Sequence, residues 1–79
     1  MKIPAIKSLV EQYSLEQLQA AEEALANEAQ PAIAVEGEDE GEQLTHVFAA
    51  IFIKQEMQGG TDFKTALREY TRKVRESIS

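Results

Sequence analysis

The sequence predicts an all-α fold: a small bundle of three to four helices whose sequential neighbours pack antiparallel. Three observations carry this expectation. Apolar residues recur at three- and four-residue steps near both ends of the chain. Residues that start and stop helices stand at the joints between those stretches. At the centre, Gln43–Met57 contains the longest unbroken apolar run, Val47 to Ile53, in a segment without internal Gly or Pro. An apolar run of that length fits a buried strand as well as a buried helix, so the flanks decide. An acidic stretch precedes it and Gly59-Gly60 follows it, which favours a helix.

The chain of 79 residues makes one domain, 1–79. A single core of this size seldom supplies more than about 3–5 kcal/mol. With no cysteine, neither disulfides nor thiolate metal sites can add to it. Association with another subunit is the remaining means of stabilisation.

The first helix is expected over 3–13, with Ile3, Ile6, Leu9, Val10 and Tyr13 on one stripe and Pro4 in the tolerant first turn. Ser14-Leu15-Glu16-Gln17 reads as a capping box, with Tyr13 placed to staple onto Leu18. The second helix then runs over 15–29, with Leu15, Leu18, Ala21, Leu25 and Ala29 inward. Glu16, Glu22, Glu23 and Glu28 form a solvated acidic surface. Pro31 stops this helix. Residues 31–37 read either as a short strand or as a linker whose Ile33 and Val35 cover the end of the bundle.

Glu36–Glu42 holds five carboxylates. The spacing lacks the D-x-[DN]-x-[DN]-G order of a calcium loop. Asp39-x-x-Glu42 reads instead as the N-terminal box of the central helix, expected over 40–58, where acids meet the positive end of the dipole. At 100° per residue this helix has two apolar faces. Leu44, Val47, Phe48 and Ile51 form one; His46, Ala50, Ile53 and Met57 form the other. The first is expected to meet Leu18, Leu25, Leu67, Tyr70 and Val74. The second, Ala50, Ile53 and Met57 with Phe52, is surplus to so small a bundle and reads as a two-fold homodimer contact.

One of Gly59-Gly60 ends the central helix in the left-handed conformation. Thr61 or Asp62 caps the last helix, expected over 62–77, whose stripe is Phe63, Leu67, Tyr70, Val74 and Ile78. Beside it runs a basic face of Lys64, Arg68, Arg72 and Arg75, with Lys73 adjacent. Residues 1–42 hold ten acids and two lysines, a net of −8, whereas residues 43–79 hold four acids and six bases, a net of +2. The two halves are therefore expected to lie together, with α-helical arginines paired to Glu22, Glu23 or Glu28. The overall charge of −6 works against binding nucleic acid. No apolar stretch approaches the ~20 residues of a membrane span, and no signal peptide is read, so the expected setting is cytoplasmic.

Little in the chain suggests catalysis. Neither a nucleophile elbow nor a phosphate-binding glycine pattern is present. Asp39, Glu42 and the single histidine, His46, fall on one helix face and are the candidates for a metal or enzymatic site. Di-iron helical bundles, however, repeat Glu-x-x-His on paired helices, and this chain has Glu-x-x-x-His once. The reading is a non-enzymatic helical interaction or adaptor module that needs no cofactor, self-associates and binds one protein partner; the alternative is a small metal-binding or enzymatic protein using Glu42 and His46.

The opening Met1-Lys2-Ile3-Pro4-Ala5-Ile6-Lys7, the apolar central helix, and Phe63-Lys-Thr-Ala-Leu67-Arg-Glu-Tyr70 through Val74 resemble a small bacterial family of uncharacterised all-helical proteins. The resemblance implies a helical fold and a bacterial cytoplasmic setting. It implies no mechanism.

Overall fold

The computed structural model describes residues 2–78, with four helices: α1 (Ile3–Gln12), α2 (Leu15–Ala26), α3 (Glu40–Gln58) and α4 (Phe63–Ile78). The side chain of Ile78 lies outside the described set. Among the described residues there is no strand, and residues 31–37 form a linker.

Local chemistry explains the joints. Tyr13 takes an extended conformation and ends α1. Ser14 then opens α2 with both halves of the capping box: its Oγ accepts the Gln17 N–H at 3.2 Å, and Gln17 Oε1 accepts the Ser14 N–H at 2.9 Å. Helix α2 stops at Ala26, short of the expected 29, because Glu28 adopts a left-handed φ of 59°. The Ala29 N–H reaches back to the Ala24 carbonyl at 2.7 Å and the Glu28 N–H to that of Leu25 at 3.1 Å. These are the two bonds of a Schellman closure. Ala29 is consequently exposed rather than inward.

The same closure ends α3, this time with glycine in the left-handed position. Gly60 has φ 103°, and the Thr61 and Gly60 N–H groups bond the Glu56 and Met57 carbonyls, each at 3.0 Å. Asp62 caps α4, its Oδ1 accepting the Thr65 N–H at 2.8 Å.

Each of α1, α2 and α4 packs principally on α3. The direction of α1 is fixed by two bonds: His46 Nε2 accepts the Lys2 N–H, and Lys54 Nζ donates to the Val10 carbonyl at 2.8 Å. Both join residues 44 apart, so α1 runs parallel to α3. An alternating up-and-down order demands this of a first and third helix. The offset sets Ile6 level with Ala50 and Leu9 level with Ile53, and all four are buried. The small Ala49 and Ala50 let the partner backbones approach closely.

This corrects the reading of the second face of the central helix as surplus, and the placement of Phe48. Ala50 and Ile53 are wholly buried inside the single chain, so they are not a surplus face awaiting a second copy. Phe48, expected inward, is 43% exposed. The anchors at His46 and Lys54 turn the Ala50–Ile53 face towards α1; on the other face Val47 and Ile51 are buried as expected, Leu44 is half-buried and Phe48 is exposed.

The packing of α4 is looser. Ala66 is buried; Phe63, Leu67 and Tyr70 are half-buried; Val74 is 39% exposed. Between α2 and α3 the linker is held down by α3 side chains. Gln43 Nε2 donates to the Val35 carbonyl at 3.2 Å, and Ile33 and Val35 pack against the core. At Gly37 the chain passes so near α3 that a Cβ would lie 2.6 Å from Gln43 Cγ and 2.8 Å from its backbone nitrogen.

Candidate functional site

Three places could carry a function, and the first is His46. Among the described residues it is the one polar side chain buried with the core. Its Nε2 accepts the Lys2 backbone N–H at 3.0 Å, and its Nδ1 lies 2.7 Å from the Glu36 carbonyl oxygen. A backbone N–H only donates and a carbonyl only accepts, so the ring is the neutral Nδ1–H tautomer. Both nitrogens are thereby committed to backbone groups.

The carboxylates proposed as its companions are occupied at the helix start. Asp39 Oδ1 accepts the Glu42 N–H at 2.8 Å, and Glu42 Oε1 accepts the Glu38 N–H at 2.8 Å. That second bond, together with the nearby positive Lys2, holds the Glu42 carboxyl below its ordinary range. The structure thus sets Asp39 and Glu42 to capping α3, and it aims neither His46 nitrogen at them. Among the described residues no group of three or more His, Asp or Glu side chains is arranged to hold a metal.

The second place is the outward face of α3. Leu44, Phe48 and Phe52 follow at four-residue steps, with Leu44 and Phe52 half-buried on either side of the exposed Phe48. Phe52 tilts against Tyr70 of α4, with ring centroids 5.7 Å apart and planes inclined at 55°. Lys73 Nζ stands 5.3 Å from the Phe52 ring centre, a cation over an aromatic face. Burial raises the Tyr70 phenol above its usual range. Of the residues first assigned to an interface, only Phe52 belongs to this face. Met57 instead lines a shallow groove beside α1, with Val10, Glu11, Lys54 and Gln58.

The third place is the basic face of α4. Lys64, Arg68, Arg72 and Arg75 are all exposed. Arg72 pairs within its own helix, with Glu69 at 2.6 Å and Glu76 at 3.7 Å, and the Glu69 bond raises the guanidinium further above its already high range. The expected pairs with Glu22, Glu23 or Glu28 are not among the described ion pairs. The reason is geometric: α2 and α4 each pack on α3 rather than on one another. Exposed pairs within one helix contribute little to stability.

Sequence reasoning passed over Phe48 as an exposed residue and Lys2 as a partner of His46. The first was hidden by the two-faced pattern of α3. The second leaves no trace in side-chain chemistry, because the group that Lys2 contributes is its backbone amide.

Fold and site together define a small all-helical protein with one central helix wrapped by the other three. The chain belongs to a family of unknown function, DUF6952, whose model matches residues 1–79. No curated protein matches it, and no solved structure does. No helix among the described residues is long and apolar enough to cross a membrane.

Proposed function

We propose that the protein is a non-enzymatic interaction module that self-associates through the outward face of α3, centred on Phe48. The observation that carries this reading is Phe48 itself: an aromatic side chain, 43% exposed, in the middle of the most buried helix of the chain. It lies on an uncharged strip with Leu44, Phe52 and Gln55, on a protein in which more than a quarter of residues are charged. Aromatic residues surrounded by half-buried apolar neighbours are the usual anchors of protein contacts. Lys73, held over Phe52, supplies a polar rim.

A second copy of the chain is the proposed occupant because an uncharged strip can meet its own copy without like-charge repulsion at the contact. About a two-fold axis, Phe48 of one protomer meets the same residue of its partner, the commonest geometry for small oligomers. The small core gives this pairing a purpose, since subunit association offsets the limited stability of one domain. Salt should strengthen rather than weaken it, by screening the repulsion between two chains of charge −6.

Sedimentation equilibrium over a rising concentration series tests the reading. Mass rising from that of one chain to that of two, more readily at higher salt, is the expected result. A mass that stays at one chain throughout would remove it.

A further inference from the structure

We propose that His46 is an acid-sensitive latch, which holds the start of α1 and the 35–37 linker against α3 only while its ring is neutral. The inference is independent of self-association and rests on the direction of two hydrogen bonds.

The Lys2 N–H has a proton to give and nothing to accept with, so Nε2 must present its lone pair. The Glu36 carbonyl accepts, so Nδ1 carries the ring's one proton. A second proton would sit on Nε2 and face the Lys2 N–H across 3.0 Å. Two donors would then point at each other. The ring is wholly buried, so no bulk water is at hand to accept from either.

The charged groups around the ring come from three directions. Lys2 belongs to the segment before α1, Glu36 to the linker, and Glu42 lies one turn earlier on α3. In the structure neither carboxylate bonds the ring: Glu42 Oε1 accepts the Glu38 N–H and Glu36 meets the ring through its carbonyl. The clash of a second ring proton with the Lys2 N–H is therefore the direct cost of protonation.

The two released segments are the ones His46 ties together. One is the entry to α1, 44 residues away along the chain. The other is the linker around Glu36, which is tied further by the Gln43 bond to Val35, by the Glu38 N–H bond to Glu42 and by the packing of Ile33 and Val35. Acid thus loosens the start of α1 and the linker at their shared tie to His46, while the Lys54 bond to Val10 and the α3–α4 aromatic contact remain.

The test is a nitrogen-15 NMR titration of the wild-type protein from about pH 8 to about pH 5, the range in which imidazoles change charge. It follows the ring nitrogens of His46 and the amides of Lys2 and Gly37, alongside thermal melts of wild type and His46→Gln. Glutamine keeps an acceptor near Nε2 and does not titrate. The expected result is that both amides move with ring protonation, and that the wild-type Tm falls by about 4–8 °C relative to the variant, the shift from losing about one hydrogen bond in a domain this small. Ring protonation without movement of the two amides would overturn the proposal. So would a folded protein whose ring stays neutral down to pH 5. Should His46→Gln fail to fold, the wild-type titration decides alone.

Discussion

His46 and Lys2 are 44 positions apart in sequence, yet the buried imidazole Nε2 accepts the Lys2 backbone N–H at 3.0 Å. Through Nδ1 the same ring holds the Glu36 carbonyl at 2.7 Å, so one side chain joins three parts of the chain.

Removing it should therefore cost far more than one exposed contact. His46→Ala leaves two backbone groups without partners and a void at the start of α3. The expected loss is about 2–4 kcal/mol, most of what a core of this size supplies. Urea unfolding monitored by circular dichroism measures it. A loss below about 1 kcal/mol would mean that water takes over both bonds and that the ring is not structural.

The two Schellman closures give a matched comparison. Gly60 takes its left-handed conformation without strain, whereas Glu28 takes the equivalent one with a Cβ. Glu28→Gly should stabilise the protein by about 0.5–1 kcal/mol, and Gly60→Ala should destabilise it by about 1 kcal/mol. An added Cβ at Gly60 meets nothing within 4 Å, so the effect there isolates the backbone term. Equal and opposite shifts in the urea midpoint are the expected outcome; destabilisation by Glu28→Gly would contradict the assignment.

Acid should also act through the helix caps. The Thr65 hydroxyl and N–H hold the Asp62 carboxyl below its ordinary range, as the Glu38 N–H does that of Glu42. A depressed folded value means that the unfolded chain binds more protons, so these caps stabilise fully above the ordinary carboxylate range. Their contribution fades as pH falls through the folded values. Asp62→Asn keeps an acceptor without the titration. The Tm advantage of wild type over this variant should be present near about pH 6 and shrink as pH falls below the ordinary carboxylate range. A gap that is constant with pH would show that Asp62 acts as a neutral acceptor only.

Burial within the chain makes a sharp prediction at Ile53. Level with Leu9 of α1 and wholly enclosed, it has no room for a charged group. Ile53→Asp should abolish the folded state, since an unpaired buried carboxylate costs more than the protein's whole stability. Far-ultraviolet circular dichroism at neutral pH reads this directly. A variant that keeps its helices and merely changes oligomeric state would restore the surplus face of α3 that the structure contradicts.

Much of the architecture was legible because it is written locally. Ser14 with Gln17, Asp39 with Glu42, Asp62, and Gly60 each act within one turn of chain, and residue identity alone marks them. The linker reading of 31–37 rested similarly on Pro31 and the short run after it. The exposure of Phe48 on α3 was not legible. Val47 and Ile51 are buried on one side and Ala50 and Ile53 on the other, and hydrophobic pattern cannot choose which single apolar residue, here Phe48, is left exposed. The choice is made by His46 and Lys54, and their partners are the Lys2 amide and two carbonyls, groups that every residue of their kind carries. The bonds of His46 were hidden for the same reason: it stands four residues after Glu42, yet its ring nitrogens meet backbone groups on both sides.

The central claim is that α3 is enclosed by its own chain on the Ala50–Ile53 side and offers Phe48 to a second copy on the other. Multi-angle light scattering of wild type and Phe48→Asp, each checked for helix content, tests it most directly. The account predicts a dimeric wild type and a monomeric Phe48→Asp with its helices intact. A dimer that survives Phe48→Asp, or a wild type that is monomeric at every concentration, would contradict it.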